Sequence, residues 1–346
     1  MANKKLIRAK KEKMDEYYTQ WNTIEREIES YIEYNPDVFR DKTILCPCDD
    51  PEWSNFTKYF VLHFQEFGIK KLISTSYASE SKLFKYPYQL TLFEFNNGKY
   101  DSTKSKTNGK IFVLDRDNKG NNFNINDLKW DYLENDGSFL SDEVTALRNE
   151  ADLIITNPPF SIFRTFLEWV IDAKKDFLVI ANKSCVSYKE IFPLIRNNLI
   201  WSGRTEWSGG MWFETKDNNN VDKIINEIPM KNTPSIWITN IDHGRRHQPL
   251  SLMTMEENIK FSKHRNDIKW NKVYKKYDNF NAIEVPFTDS IPSDYKGIMG
   301  VPISFLDKYC PDQFEIIGNE YELDIEKGRG YIDGMRMYSR IFIRRK

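Results

Sequence analysis

The sequence lacks a long hydrophobic run. No stretch of about 18 consecutive apolar residues occurs, which excludes the usual pattern of a membrane-spanning helix. The Lys-rich N-terminus is not followed by an apolar stretch, so we expect no secretory signal. These two absences predict a cytoplasmic protein without a membrane association.

Cysteine and histidine are also scarce, with four of each among 346 residues. Cys46 and Cys48 are separated by a single proline, which is tighter than the usual two-residue spacing of metal ligands, and no histidine cluster accompanies them. We therefore expect reduced thiols and no metal site, as is typical of an intracellular protein.

Neither charge is in excess, since 50 Lys and Arg residues are balanced by 51 Asp and Glu residues. The net charge of −1 excludes a protein that coats nucleic acid through charge alone. Three segments are nevertheless locally basic: residues 4–13, 260–276 and 340–346. Basic residues that alternate with aromatic ones, as in the second segment, are typical of a phosphate-contacting surface, although a solvated charged surface explains each segment equally well.

Hydrophobic residues make up 40% of the chain, enough for one large domain or for a catalytic domain with an appendage. Short apolar runs predict buried strands at residues 42–46, 70–77, 153–156 and 176–181. Amphipathic patterns predict helices at residues 54–67, 163–171 and 191–200. This alternation predicts a Rossmann-like α/β fold with a mostly parallel sheet.

The strand predicted at Leu153–Thr156 ends at the tetrapeptide Asn157-Pro158-Pro159-Phe160. Two consecutive prolines lack N–H groups and cannot continue a strand ladder, so the tetrapeptide predicts a stiff turn. This turn follows the carboxyl end of a strand, which is where open α/β sheets bind their ligands.

The composition of this turn suits the binding of a planar amine. Such an amine has two hydrogens, which the side-chain oxygen of Asn157 and the carbonyl of Pro158 can accept, while Phe160 stacks on the attached ring. The alternative is a structural turn beside a core phenylalanine, and the strand pattern directly before the turn weakens that alternative.

The turn after the first strand is acidic and contains no glycine. It reads Pro47-Cys48-Asp49-Asp50-Pro51 and separates a strand from a helix, as in the first unit of a Rossmann-like sheet. Because no glycine allows the backbone to approach a phosphate, a nicotinamide dinucleotide is disfavoured. Asp49 and Asp50 suit the positively charged end of a cofactor that has no phosphate. An acidic surface loop is the alternative.

Five segments together resemble the EcoRI-type adenine-specific DNA methyltransferases, a group of class I amino-methyltransferases that use S-adenosylmethionine. These segments are Asp15–Gln20, Cys48–Pro51, Ser54–Phe56, Asn157–Phe160 and Asp294–Ile303. The last segment matters most for this group, because many methyltransferases contain the other motifs. The resemblance covers most of the chain and implies a mostly parallel sheet of seven strands.

The resemblance also implies roles for individual residues. Asn157–Phe160 is the implied catalytic turn, and Asp49, Asp50 and Pro51 stand where most methyltransferases have a glycine-rich cofactor turn. Sheets that bind such cofactors often place an acid for the ribose after the second strand, and Glu80 is the nearest candidate.

Two further pairs of residues are implied to contact the cofactor. Tyr18 and Thr19 would lie against its methionine end, although Thr19 also suits the N-cap of a helix that begins near Trp21. Asp136 would accept the amine of the cofactor's adenine, and Phe139 would pack beside that ring.

The implied organisation is a basic arm (residues 1–14), an S-adenosylmethionine-binding catalytic domain (15–242) and a target-recognition region (243–346), because strand–helix alternation fades after residue 242. The implied reaction is methyl transfer to N6 of an adenine that is flipped out of a short double-stranded DNA sequence. Double-stranded DNA is the implied partner, a cognate restriction endonuclease is a further one, and a monomer is the family expectation.

Class I methyltransferases end their sheet with an antiparallel hairpin. Segments 207–213 and 235–240 are the expected strands of this hairpin, with Trp212 or Phe213 lining a pocket for the extruded base. Core aromatic residues of a hairpin are the alternative for each ring.

Two other functions remain open from the sequence. One is an amine methyltransferase that acts on protein glutamine or RNA, which the missing glycine turn and the long C-terminal region disfavour. The other is a DNA-binding relative without turnover, which the complete Asn157–Phe160 motif disfavours.

Overall fold

The computed structural model describes residues 18–78, 100–117, 130–215, 220–261, 274–323, 325 and 328–346. The expected basic arm, Glu80 and most of the basic segment 260–276 lie outside these residues. The chain forms two compact units. The first unit comprises Met1–Cys185 and Gly203–Asp242, and the second unit comprises Val186–Ser202 and His243–Lys346.

The described helices are α1 (Trp21–Tyr34), α2 (Asn55–Leu62), α3 (Lys104–Thr107), α4 (Asp142–Glu150), α5 (Phe163–Asp172), α6 (Phe192–Arg196) and α7 (Met255–Phe261). Helix α6 is shorter than the helix predicted at residues 191–200. The reason is local, since Asn198 has a φ of 59°, and a residue in the left-handed region ends a helix.

The described strands are β1 (Tyr18–Thr19), β2 (Thr43–Cys46), β3 (Lys71–Thr75), β4 (Lys110–Asp115), β5 (Asp131–Tyr132), β6 (Leu153–Thr156), β7 (Asp176–Asn182), β8 (Trp201–Ser202), β9 (Met211–Glu214), β10 (Lys223–Ile225), β11 (Ile228–Thr233), β12 (Ser235–Thr239), β13 (Ala282–Glu284), β14 (Ile298–Val301), β15 (Phe314–Asn319), β16 (Tyr331–Ile332), β17 (Met335–Arg336) and β18 (Ile341–Arg345). The strands predicted at residues 42–46, 70–77, 153–156 and 176–181 are confirmed as β2, β3, β6 and β7.

The main sheet of the first unit is mixed with a parallel centre, so the α/β fold is confirmed but the predicted mostly parallel sheet of seven strands is not. Seven strands of this unit lie in the order β5–β4–β3–β2–β6–β7–β12. The four central strands β3, β2, β6 and β7 run parallel, whereas β4, β5 and β12 pair antiparallel with their neighbours. Strand β4 alternates between buried and more exposed residues, as expected for an antiparallel strand with one open face, while β2 and β6 are buried throughout.

A second sheet of the first unit is antiparallel, with the order β1–β9–β11–β10. The expected hairpin of segments 207–213 and 235–240 is therefore wrong, because β9 lies in this sheet and β12 lies in the main sheet. Pro234 separates β11 from β12, and a proline cannot continue the ladder, so the chain changes sheets at this residue.

Helix α1 packs against the core of the first unit and carries a buried acid. Burial raises the pKa of Glu27, whose carboxylate accepts hydrogen bonds from the backbone N–H groups of Arg204 at 2.6 Å and Thr205 at 2.8 Å. The hydroxyl of Tyr31 donates a further bond to the carboxylate at 3.0 Å. Glu27 therefore fixes a loop that lies far from the helix in sequence.

The second unit contains a four-stranded sheet, β13–β14–β18–β15, and the β16–β17 hairpin. The side chain of Tyr277 packs against two glycines of this unit, since an added Cβ would lie 2.5 Å from the Tyr277 hydroxyl oxygen at Gly300 and 2.4 Å from the Tyr277 ring at Gly330. The Tyr277 hydroxyl donates to Glu284, which also pairs with Arg340 at 2.6 Å. These contacts give the second unit a core of its own.

The loop after β5 packs closely on the chain that leaves β3. Gly137 has a φ of 78°, and an added Cβ would lie 2.1 Å from the carbonyl oxygen of Ser76. The N–H of Ala78 donates to the carbonyl of Asp136 at 2.7 Å. A glycine is required at position 137 by both its conformation and this close approach.

Replacing Gly137 by Ala should destabilise the protein more than the matched change Gly209→Ala. Both glycines have a positive φ, 78° and 80°, which costs a residue with a Cβ roughly 1–2 kcal/mol. Only Gly137 is also blocked by backbone atoms, since no described atom lies within 4 Å of a Cβ at Gly209. Urea unfolding of both variants measures the difference, and equal losses would contradict the close packing.

Candidate active site

The candidate site lies at the carboxyl ends of β2 and β6, which are neighbours in the main sheet. Strand β2 pairs in parallel with β3 on one side and with β6 on the other. The next described strand along the chain, β3, lies on one side of β2, whereas β6 lies on the other side. The chain therefore adds strands first on one side of β2 and then on the other. Such a switch point opens a crevice at the carboxyl edge of the sheet.

The turn Asn157–Phe160 connects the buried strand β6 to helix α5. Pro159 is extended, with φ −56° and ψ 129°, and a short 3-10 helix, Phe160–Ile162, follows it. Phe160 is partly buried, and its ring is nearly perpendicular to that of Phe213 with the centroids 6.3 Å apart. The predicted end of the strand at this tetrapeptide is confirmed, and the stiffness of the turn stays a prediction.

Asp49 is buried, with 5% of its surface exposed, and contacts the Asn157–Phe160 turn directly. Its carboxylate accepts hydrogen bonds from the hydroxyls of Ser54 at 2.6 Å and Thr156 at 2.5 Å. The backbone N–H of Asn157 donates a third bond to it. Burial raises the pKa of Asp49 to about 7, the negative charge of Asp50 adds to this effect, and the hydrogen bonds oppose it.

Asp50 differs from Asp49 because it is partly exposed. Its carboxylate accepts the backbone N–H of Glu52 at 2.9 Å, and its carbonyl accepts the N–H of Ser54 at 2.8 Å. Pro51 is buried within the same turn. Ser54 then caps helix α2 by accepting the N–H of Phe56 at 3.0 Å, so the turn is built without a glycine.

Thr19 lies in β1 and is not the N-cap of α1. That position is held by Gln20, which forms no side-chain capping bond, so the capping interpretation of Thr19 is wrong. Asn55, in the first turn of α2, donates to the Thr19 carbonyl at 2.8 Å, and Thr19 pairs with Phe213, the neighbour of Phe160. The Thr19 hydroxyl oxygen is buried and has no hydrogen-bond partner among the residues that the structure describes.

Tyr18 pairs with Glu214 through the backbone of β1, and its side chain lies outside the described part of the chain. The role implied for this side chain therefore stays a prediction.

Asp136 and Phe139 lie on the loop that packs beside the end of β3. Asp136 is partly buried, and its carbonyl accepts the N–H of Ala78. The ring of Phe139 is 7% exposed and meets the rings of Phe166 and Trp169 edge-on, with centroids 5.3 and 5.4 Å away. Phe139 thus contributes to the core, and the role implied for it beside the cofactor's adenine stays a prediction.

Two groups of residues at this edge are missing from the sequence-based site. One group consists of Ser54 and Thr156, which donate hydrogen bonds to the Asp49 carboxylate. In the sequence, a polar threonine at the end of a buried apolar strand, directly before Asn157, could have indicated this role for Thr156. The other is a buried ion pair between Glu52 and Lys110 at 2.7 Å, in which Trp130 also donates to Glu52 at 2.8 Å.

The two aromatic residues proposed from the sequence to line a base pocket lie on opposite faces of β9. Phe213 is fully buried, whereas Trp212 is 37% exposed. Side chains alternate along a strand, so only one of the two rings faces the core beside Phe160.

The C-terminal basic segment forms ion pairs and hydrogen bonds within the second unit. Arg340 forms a buried pair with Glu284, Arg344 pairs with Glu315 at 2.7 Å, and the last two residues donate to backbone carbonyl groups. These contacts argue against the interpretation of this segment as a phosphate-contacting surface.

No described helix is long and apolar enough to cross a membrane. Within the same described ranges, no three His, Cys, Asp or Glu side chains come together as a metal site would require. The four cysteines are free thiols, and all except Cys48 are buried.

A mixed α/β sheet that brings an Asn-Pro-Pro-Phe turn and an acidic turn to one edge is consistent with a methyltransferase. The family model described as adenine-specific methyltransferase EcoRI matches residues 5–346. The chain therefore belongs to the EcoRI family of adenine-specific methyltransferases.

Two relatives are similar over almost their full length. The chain is 36% identical over 352 residues to the Type II methyltransferase M.EcoRI of Escherichia coli, with 100% of this chain and 97% of the relative covered. It is 30% identical over 361 residues to the Type II methyltransferase M.MpnI of Mycoplasma pneumoniae, with 98% and 97% covered. No solved structure gives a significant match.

The raised pKa of Asp49 predicts how stability depends on pH. The folded state binds this proton more tightly than the unfolded chain, so the Asp49 contribution to the free energy of unfolding falls as pH rises from 3.8 to about 7. Relative to the variant Asp49→Asn, the wild type should lose stability across this window with a slope on the order of 1 kcal/mol per pH unit. Urea unfolding of both proteins at several pH values measures this slope, and a constant difference would contradict the prediction.

Proposed function

We propose that the chain methylates N6 of adenine in a short double-stranded DNA sequence, with S-adenosylmethionine as the methyl donor. The observation that carries this proposal is that the Asn157–Phe160 turn and the Asp49–Asp50 turn leave adjacent parallel strands at one edge of the sheet. Membership of an adenine-specific methyltransferase family supports adenine as the substrate base.

The residues around the crevice fit such a cofactor. S-Adenosylmethionine supplies an electrophilic methyl group on a positively charged sulfonium. The buried hydroxyl of Thr19, which has no hydrogen-bond partner among the described residues, suits a polar group of this ligand. Asp50 is partly exposed and suits the positive end, and Asp136 suits the adenine amine. The Asp49 carboxylate already accepts three hydrogen bonds, which makes Asp50 the better candidate for direct contact.

The catalytic turn acts on the amine of an adenine that has left the duplex, because N6 cannot be reached inside the base stack. The side-chain oxygen of Asn157 and the carbonyl of Pro158 accept the two amine hydrogens. This favours the pyramidal amine and stabilises the positive charge that develops on N6 during attack. Phe160 stacks on the base, Pro159 keeps the turn stiff, and alignment of N6 with the methyl group provides much of the rate enhancement.

The relatives support a restriction-modification context, since both M.EcoRI and M.MpnI are named Type II methyltransferases. On this basis we propose a cognate restriction endonuclease for the same DNA sequence. We propose in addition that the chain acts as a monomer in the cytoplasm, as expected from the sequence. The region after residue 242, which forms most of the second unit, is proposed to read the target sequence.

Asn157→Ala should abolish most methyl transfer while cofactor and DNA binding persist. Loss of one of the two amine acceptors should slow transfer by about 100-fold or more, by comparison with the removal of single electrostatic groups in other enzymes. The measurement is sequencing that detects N6-methyladenine in DNA from cells that express each variant.

Asn149→Ala is the matched control for this experiment. Asn149 is exposed near the end of α4, before β6 begins, whereas Asn157 lies just after β6 ends. Methylation of one short motif by the wild type and the control, but not by Asn157→Ala, would support the proposal. Equal methylation by all three proteins would refute the mechanism. If the wild type binds S-adenosylmethionine but methylates no DNA, amines of protein or RNA become the candidate substrates.

Thr19→Val should weaken S-adenosylmethionine binding with little effect on the fold. Valine has nearly the same shape but no hydroxyl, so the variant removes an unsatisfied buried oxygen and should be at least as stable as the wild type. We expect the dissociation constant to rise by about tenfold, as for the loss of one hydrogen bond, and calorimetric titration measures it. An unchanged affinity would exclude Thr19 from the cofactor site.

A further inference from the structure

We propose that Asp49 is a positioning residue, which holds the catalytic turn in place through the hydroxyl of Thr156 and the N–H of Asn157. This inference rests on the proposed function, because it concerns the same turn. It differs from the role implied by the family resemblance, in which Asp49 contacts the cofactor directly.

On the catalytic side, two residues donate hydrogen bonds to the Asp49 carboxylate. Thr156 is the last residue of β6 and donates its hydroxyl to Asp49 at 2.5 Å. Asn157 donates its backbone N–H to the same carboxylate. The Thr156 hydroxyl also accepts the N–H of Cys48 at 3.3 Å. Asp49 thus contacts the backbone of the residue whose side chain is proposed to accept the adenine amine.

Asp49 is itself fixed from the opposite side. Its N–H donates to the carbonyl of Thr75 at 3.0 Å, and its carbonyl accepts the hydroxyl of Ser74 at 2.5 Å. Ser74 bonds to Thr57 at 2.6 Å, and Ser54 donates to the Asp49 carboxylate. These residues belong to β3, to α2 and to the cap of α2, so the carboxylate is tied to the scaffold rather than to a mobile loop.

The carboxylate group determines how many donors Asp49 can hold. It offers two oxygens with about four acceptor sites, and Asp49 uses them for three donors. An asparagine side chain has one acceptor oxygen and an NH2 group that faces the remaining donors. The Ser54 and Thr156 hydroxyls can reverse their direction, but the Asn157 N–H cannot. Asp49→Asn therefore keeps the side-chain volume but replaces the charged acceptor of the Asn157 N–H with a neutral amide oxygen, which is a weaker acceptor.

Protonation of Asp49 has a similar effect, because a neutral carboxyl is a weaker acceptor for the Asn157 N–H. Among the described residues, Asp50 and Cys46 interact electrostatically with Asp49, and Cys48 interacts with Cys46. At the same edge, Glu52 and Lys58 interact with Asp50, and Lys110 pairs with Glu52. Burial raises the pKa of Cys46 well above its usual range, and all of these side chains remain in the Asp49 variant. A pH dependence that disappears in this variant therefore belongs to Asp49.

The test compares the wild type, Asp49→Asn and the control Glu27→Gln. Glu27 is also a buried carboxylate that accepts backbone N–H groups of a distant loop, but it lies outside the site. Single-turnover methyl transfer is measured with saturating S-adenosylmethionine and DNA between about pH 6 and pH 9. Calorimetric titration gives the affinity of each protein for S-adenosylmethionine.

We expect Asp49→Asn to lower the single-turnover rate above pH 7 by about tenfold or more, because a small misplacement of a reacting group is costly. Its affinity for S-adenosylmethionine should stay within about twofold of the wild-type value. The wild-type rate should rise as pH increases through about 7, and this rise should be lost in the variant. Glu27→Gln should keep the wild-type rate and pH profile.

Three results would overturn the proposal. An unchanged rate in Asp49→Asn would exclude a positioning role. A large loss of cofactor affinity with a normal rate at saturation would make Asp49 a cofactor ligand. An equal loss of rate in Glu27→Gln would indicate a general effect on folding.

A second variant keeps the proposal testable if Asp49→Asn does not fold. Thr156→Val removes one Asp49 bond from the opposite side, and it should lower the rate in the same direction without loss of cofactor affinity. A normal rate in a folded Thr156→Val protein would contradict the proposal. Failure of the proposed function itself would be distinguishable, because the wild type would then transfer no methyl group to adenine in DNA.

Discussion

The candidate site depends on one pairing of parallel strands, β2 with β6. Leu45 lies opposite Ile154, so the two strands run side by side and end at the same edge of the sheet. Because parallel strands share a direction, the turns that follow them, Pro47–Pro51 and Asn157–Phe160, meet without a loop that crosses the sheet. A slip of one residue would turn Thr156 to the opposite face and break its bond to the acidic turn.

Buried carboxylates are unfavourable unless hydrogen bonds satisfy them, and Glu27 and Asp49 are satisfied in the same way. Each accepts at least one backbone N–H from a segment that is distant in sequence, two in the case of Glu27 and one in the case of Asp49. The two acids differ in what they connect. Glu27 joins a helix to a structural loop, whereas Asp49 joins the two turns of the candidate site. Hydrogen bonds from a distant backbone to a buried carboxylate thus stabilise the fold at Glu27 and the proposed catalytic geometry at Asp49.

The turn after β2 contains no glycine, and this affects which kind of ligand the turn can bind. In a glycine-rich turn, free N–H groups at the start of a helix bind a phosphate. Here Asp50 and Ser54 accept the N–H groups of Glu52 and Phe56, so these donors are used within the protein. The turn therefore presents carboxylate rather than N–H groups, which suits a cationic cofactor and agrees with membership of a methyltransferase family.

The sequence by itself determines the features that arise within a few residues. The apolar run before Thr156 specifies a buried strand, and the two prolines after Asn157 end it as a stiff turn. The tertiary structure decides which distant residues meet. Asp49 and Thr156 are 107 positions apart, and their contact depends on strand pairing. Strand pairing also decides that the sheet is mixed and that Thr19 lies in a strand instead of capping a helix. Local propensities act along the chain, whereas sheet order depends on long-range packing that no short pattern encodes.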